Sequence, residues 1–274
     1  MFHAKKLIAL TAACSITGLA SAEVVFSNNF EDGNIAAEVG SWTIANTATS
    51  TVLTGGGADA TLGNNAILLD GSGSSPAVVG NLDVDIAFAD LDLTGGKTAT
   101  VSWDSYARRT NGIAKELTIT GYDSSDNKVF AMVLGDANSF GNTGADRQRP
   151  GFATLAGGKT VLPGPGTPNS FWFGSSGSNT TVDPLRDASF DLTIGESSWD
   201  LTTASQGAVV YSTTGLATFD GASHADLAYI EITSFGTGFG MVFDNIQVEG
   251  TLVPEPSSLA LLGLGGLAML RRRR

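Results

Sequence analysis

Two histidines, one cysteine and many carboxylates bound the chemistry that this 274-residue chain can attempt. His3 and Cys14 fall within the first 22 residues, so His224 is the one histidine of the remaining body. It lies in Asp220-Gly221-Ala222-Ser223-His224-Ala225-Asp226, a polar stretch that reads as a surface loop. A catalytic triad needs a base held by an acid beside a nucleophile, and nothing in the spacing around His224 shows that arrangement. One histidine without cysteine is also a poor donor set for zinc. No catalytic residue is assigned. Glycosidase chemistry needs two carboxylates of separated pKa, but so acidic a chain always supplies some pair, and abundance selects none. Lyase chemistry on acidic sugars needs a base and a cation. Tyr106, Arg108, Arg109 and Lys115 are the densest such group, and they equally suit the polar end of a hairpin. Glycan binding asks less: an exposed ring to stack on a sugar face, with polar neighbours for its hydroxyls. Tyr106, Arg108 and Trp172 are the candidates for it. Trp172 stands in Phe171-Trp172-Phe173, which must expose at least one face if extended. Trp103 shares its alternation phase with Val101 and Ala99 and belongs to a core.

These residues have to be positioned by strands. The apolar period is 2: Leu82, Val84, Ile86 and Phe88; Ala99, Val101 and Trp103; Leu117 and Ile119; Phe190, Leu192 and Ile194 each alternate with polar or small neighbours. Further strands are predicted at 24–26, 42–44, 66–70, 129–134, 208–211, 229–233 and 241–249. Glycine clusters at 55–57, 71–73, 95–96 and 157–158 separate them. The longest irregular part is expected at 141–182, which holds Arg147-Gln148-Arg149-Pro150-Gly151. About a dozen short strands without an amphipathic helix predict an all-β body, a two-sheet antiparallel sandwich of jelly-roll type.

Both ends of the chain carry signals. Lys5 and Lys6 precede an apolar stretch over 7–20, and Ala20-Ser21-Ala22 offers small residues at both recognition positions. This is the pattern of a secretory signal peptide over residues 1–22, a helix removed by signal peptidase to leave Glu23 first. Cys14 is a weak lipoprotein alternative, because Thr11 stands where such a site wants leucine. Cleavage after Ala22 discards the only thiol, so the mature chain has no disulfide chemistry. At the other end come Pro254, Glu255 and Pro256, then an apolar run over 259–270, then Arg271, Arg272, Arg273 and Arg274. Residues 253–270 are near the lower limit for a transmembrane helix, and the arginines would hold its end on the cytoplasmic side.

The tail over 251–274, with its Pro-Glu-Pro motif, apolar helix and arginine cluster, closely resembles the PEP-CTERM sorting signal. The resemblance implies export and transient anchoring in the inner membrane. It also implies removal of the tail by an exosortase, with the body then at the cell surface or in an extracellular matrix rich in polysaccharide.

Between the ends, residues 23–250 form the body. Lys5, Lys6 and the four terminal arginines, together with Glu255, account for the charges outside it. The body keeps nine basic and 26 acidic side chains, a formal charge of −17. Such a charge opposes binding to nucleic acid, and no nucleic-acid partner is expected. The body opens on Asn29-Phe30-Glu31-Asp32-Gly33 and closes on Phe243-Asp244-Asn245-Ile246-Gln247-Val248. These stretches resemble the jelly rolls of carbohydrate-binding modules and of laminin-G or concanavalin-like domains. In those folds the first and last strands often lie side by side, and the resemblance implies a structural calcium held by Glu31, Asp32 and Asp244, all hard oxygen donors. The alternative is turn chemistry at Asp32-Gly33 and a carboxylate at a ladder end. The functional expectation is a non-enzymatic envelope or matrix protein associated with extracellular polysaccharide. A carbohydrate-active enzyme on the same sandwich, a glycosidase or polysaccharide lyase, is the second reading.

Overall fold

The computed structural model describes residues 21–33, 36–45, 49–54, 65–70, 83–108, 116–136, 150–158, 160–161, 187–205, 208–235 and 240–254. The signal segment up to residue 20 and the apolar tail, with the two helices expected there, lie outside the described residues. Among the described residues every named element is a strand except for a 3-10 turn at Thr94–Gly96. The strands in order are β1 Glu23–Asn28, β2 Ser41–Ala45, β3 Thr49–Thr54, β4 Asn65–Asp70, β5 Asp83–Asp92, β6 Ala99–Arg108, β7 Glu116–Tyr122 and β8 Lys128–Asp136. They continue with β9 Pro150–Thr154, β10 Thr160–Val161, β11 Asp187–Ile194, β12 Ser198–Ser205, β13 Ala208–Ala217, β14 Asp226–Phe235 and β15 Gly240–Gly250.

They form two antiparallel sheets. One runs β13-β12-β11-β6-β15-β4-β3, with β1 also paired to β15. The other runs β10-β9-β8-β7-β14-β5-β2. The predicted alternation chooses the inner faces. Ala99, Val101 and Trp103 of β6 are buried beside Phe190, Leu192 and Ile194 of β11 and Trp199 and Leu201 of β12. The facing sheet contributes Val84 and Ile86, Leu117 and Ile119, Phe130 and Met132, and Ile230 and Ile232. Each large apolar side chain so buried contributes about 1.5–3 kcal/mol. Aromatic contacts join the layers: Phe130 meets Trp199 at 5.7 Å, and Phe26 meets Trp42 at 6.2 Å between ring centroids. Trp103 lies in the core as its phase required, stacked on Phe190 at 4.9 Å.

Every strand anticipated from the sequence is present. The segment expected to be irregular at 141–182 differs, because it contains β9 and β10, which extend the seven-stranded sheet past β8. Pro150 does not prevent this. It is the first residue of β9, where a missing N–H costs the ladder least, and Ala153 is fully buried. Strands β3 and β12 were not anticipated either.

Among the described glycines, the closest approach of neighbouring atoms is at Gly121 of β7. A Cβ there would come within 2.2 Å of the buried Phe130 ring and 2.9 Å of Leu227. The ring is enclosed and has nowhere to turn. Gly121→Ala should therefore lower stability by about 1–3 kcal/mol, seen as a fall in melting temperature with the far-ultraviolet β spectrum retained.

Candidate functional site

The corner where the first and last strands meet is built by β15. Its upper part, Gly240 to Phe243, pairs with β4, and Ile246 to Gly250 pair with β1. Along its other edge it pairs with β6, with a bulge between Asp244 and Gln247. Asn245 adopts the left-handed backbone conformation within that bulge (φ 49°), which asparagine tolerates better than most residues. Its backbone N–H donates to Asp244 Oδ1 at 2.7 Å, and its side-chain amide donates to Asp104 Oδ2 at 2.8 Å. Asp244 is buried, with 1% of its surface exposed. Burial pushes its carboxyl up to about 7, against the pull of the Asn245 N–H, and the charges of Asp104 and Glu31 push the same way.

On the β1 side, Asn28 is buried and organises the exit turn. Its Oδ1 accepts the N–H of Phe30 at 2.9 Å, and its amide donates to the Ala36 carbonyl at 3.1 Å. Phe30 is held at φ 55° while its ring is fully buried against Trp42. The turn presents Glu31 and Asp32 to solvent and closes with the Gly33 N–H donating to the Phe30 carbonyl at 2.9 Å. A cleft of about 320 Å³ beside it is lined by Ser27, Asn28, Glu38, Asn245 and Gln247 among others. Of the three predicted calcium ligands, the fold thus brings Glu31 within electrostatic reach of the buried Asp244, while Asp32 stays on the exposed turn. Among the described residues, no three carboxylate, imidazole or thiol groups are placed to share one metal ion.

The predicted glycan residues fare differently. Tyr106 and Arg108 lie near the end of β6, paired through their backbones with Val242 and Gly240 of β15, and their side chains are outside the description. Trp172 lies outside the described residues, as do Glu255, Pro256 and the four terminal arginines. Pro254 is described and exposed.

The expectation for His224 is corrected by its burial. Only 4% of it is exposed, because Leu93 and His224 draw the loop inward through backbone bonds: Leu93 N–H to the Ala225 carbonyl, and His224 N–H to the Glu196 carbonyl. Its Nδ1 is 3.2 Å from Asp123 Oδ2 and its Nε2 is 3.2 Å from Asp220 Oδ1. Both contacts are hydrogen bonds only when both ring nitrogens carry protons. Asp123 is the anchor. It accepts the Ser125 and Asn127 N–H groups and the Asn127 amide. Burial works against its ionisation, but those bonds and His224 hold its carboxyl below the usual range. The group is a clamp between the β7–β8 turn and the loop before β14. The signal in the sequence was the pair of acids flanking one histidine, Asp220 and Asp226. The decisive partner, Asp123, is 101 positions away.

Comparison with known proteins adds two findings. Residues 252–274 match the PEP-CTERM protein-sorting motif, which marks an exported protein held at the membrane by its C-terminus and processed by exosortase. No curated protein matches the chain in sequence. Among solved structures, a carbohydrate esterase of the Shiga toxin-encoding bacteriophage phi24B superposes with a TM-score of 0.53 at 10% identity, over 84% of this chain and all of that one. This likeness concerns the fold alone. The lectin of Bauhinia forficata in complex with GalNAc has a TM-score of 0.49 at 11% identity, over 85% of this chain and 100% of the lectin. Peanut lectin has 0.47 at 10%, over 86% and 100%.

The depressed carboxyl of Asp123 has a definite sign. Its contribution to stability is present above the ordinary carboxylate pKa and is lost as the pH falls through the lower, folded value. Asp123→Ala should cost about 2–4 kcal/mol at neutral pH. It should also flatten the acid limb of a melting-temperature profile between about pH 5 and pH 2.

Proposed function

We propose that this is a non-enzymatic protein of the cell envelope or extracellular matrix, displayed or released through its sorting tail, that associates with extracellular polysaccharide. The observation that carries the reading is the sorting motif at 252–274 joined without a spacer to a single sandwich. Strand β15 ends at Gly250. The chain then docks on β5, with the Thr251 carbonyl accepting the Asp92 N–H at 2.6 Å and the Val253 N–H donating to the Asp90 carbonyl at 2.8 Å. Pro254, which has no N–H to give, comes next. The body is therefore secured up to the residue before the Pro-Glu-Pro motif, and removal of the tail from Pro254 onward costs it no described contact. The body's one histidine is buried between Asp123 and Asp220, where it joins two loops.

Calcium belongs to this proposal at the β1–β15 corner. Asp244 is a buried carboxylate facing the negative charges of Asp104 and Glu31, and a cation would relieve both the burial and the repulsion. Asp244 and Glu31 would supply its charge, with neighbouring carbonyls completing the shell. Asp32 would have to turn inward to join them.

Two measurements test these statements. At pH 8 in chelator, Asp244→Asn should raise the melting temperature by a few degrees, on the order of 1 kcal/mol, because it removes a buried charge. Calcium should raise that of the parent and leave the variant unmoved. An indifferent parent, first loaded with calcium, removes the ion from the proposal. Separately, the secreted protein should begin at Glu23 by intact mass and lack Arg271 to Arg274. It should be retained by a polysaccharide without releasing sugar from it. Release of reducing or unsaturated ends would replace this reading with the enzymatic one.

A further inference from the structure

The outer face of the seven-stranded sheet carries an ordered row of side chains. Cross-strand register places Lys128 of β8, Tyr122 of β7, Tyr229 of β14, Ala87 of β5 and Ser41 of β2 side by side. Their neighbours on the opposite face, such as Ile230 and Ile86, are buried in the core, so this row faces outward. The two tyrosine rings are stacked, 4.6 Å apart and within 7° of parallel. Each is pinned by its hydroxyl. Tyr122 donates to Glu231 Oε2 at 2.7 Å, and Tyr229 donates to Asp126 Oδ1 at 3.1 Å. Burial first, and these acceptors next, raise both phenols, Tyr229 to about 12, so both rings stay neutral donors.

A stacked pair covers one face of each ring. Tyr122 flanks Tyr229 on one side by register, and on the other side its neighbour is Ala87, which is exposed and carries only a methyl group. Ser41 lies beyond it. In the next row Glu231, Asp85 and Thr43 stand side by side. Register thus sets a step down, or notch, from a tyrosine to a methyl group, with hydroxyl and carboxylate residues in the adjoining row. We propose that this notch binds an uncharged polysaccharide, with a pyranose ring stacked on Tyr229 over Ala87. This rests on the reading above and names its surface.

The chemistry selects the ligand class. The C–H face of a pyranose is apolar and slightly positive at hydrogen, which suits the negative face of a phenol ring. Its hydroxyls are donors, which suits carboxylates and the oxygens of Ser41 and Thr43. Asp85, Glu231 and Asp126 oppose a polyanionic chain. Lys128, the cation of the row, lies with its ammonium 5.0 Å from the centre of the Phe219 ring. Because both rings are already fixed by stacking and by hydrogen bonds, little side-chain freedom is lost on binding.

The test is affinity electrophoresis of the processed, secreted protein in native gels containing barley β-glucan, galactomannan or dextran as uncharged probes. Alginate serves as the polyanion and chitosan as the polycation. At least one uncharged probe should retard the parent. Tyr229→Ala should weaken that retardation by about tenfold or more, while Tyr229→Phe, which keeps the ring, should stay within about threefold of the parent. Ala87→Arg fills the notch from an exposed position and should abolish retardation with the melting temperature preserved, which separates loss of binding from loss of fold. Retardation by an uncharged probe that survives both Tyr229→Ala and Ala87→Arg overturns this surface and leaves polysaccharide association standing. Retardation by alginate or chitosan alone overturns the ligand class. Retardation by none of the five overturns both this inference and the association on which it rests.

Discussion

Strand β15 must find backbone partners on both edges over eleven residues, and the eight-stranded sheet depends on how it does so. Strand β6 covers one edge almost from end to end. The other edge is divided: β4 stops at Phe243 and β1 starts at Ile246. Residues 244 and 245 fall in the gap between those two partners, and the bulge sits there. An extra residue costs a ladder least where one side is unpaired. The bulge also keeps Phe243, Ile246 and Val248 all in the core, which strict alternation from 243 would not allow. The buried carboxylate of Asp244 and the left-handed Asn245 follow from the same accommodation.

The strand also ties the two sheets together. Beyond Gly250 the chain crosses to β5, and Leu252 bridges Leu91 in the seven-stranded sheet. The last described backbone bonds of the body therefore come from the segment that leads into the sorting motif. Tension or cleavage applied to the tail meets a sealed edge at Val253, and Pro254 offers no further N–H through which the body could unzip.

How much of this was legible depended on the range over which each feature is encoded. Alternation is local, so runs such as Val84-Asp85-Ile86 and Leu192-Thr193-Ile194 announced both the strands and their buried faces. Strand β9 was hidden by its proline, and β12 by a run of small hydroxyl residues after Trp199 and Leu201. The sorting motif over 252–274, a linear signal, was legible directly. The sites were not. Asp123 and His224, or Tyr122 and Tyr229, share no local spacing, and register alone brings them together. The pairing of β1 with β15 was expected through resemblance, yet neither the bulge nor the depth of Asp244 follows from composition.

That difference in range has a functional consequence. With period 2, each strand separates the residues that hold the sandwich together from those that meet the outside. On β7 and β14, Gly121 and Ile230 pack inward while their neighbours Tyr122 and Tyr229 stack outward. A change to the inner set is felt by the whole core, whereas the outer set rests on it and can be altered at little cost in stability. The same logic holds on the other sheet, where Trp103 lies in the core and its neighbour Asp104 faces out to receive the Asn245 amide. One rigid interior therefore supports two chemically different exteriors, an acidic corner on one sheet and an aromatic row on the other. The aromatic row leaves that interior packing untouched, whereas the acidic corner sinks one carboxylate, Asp244, into it.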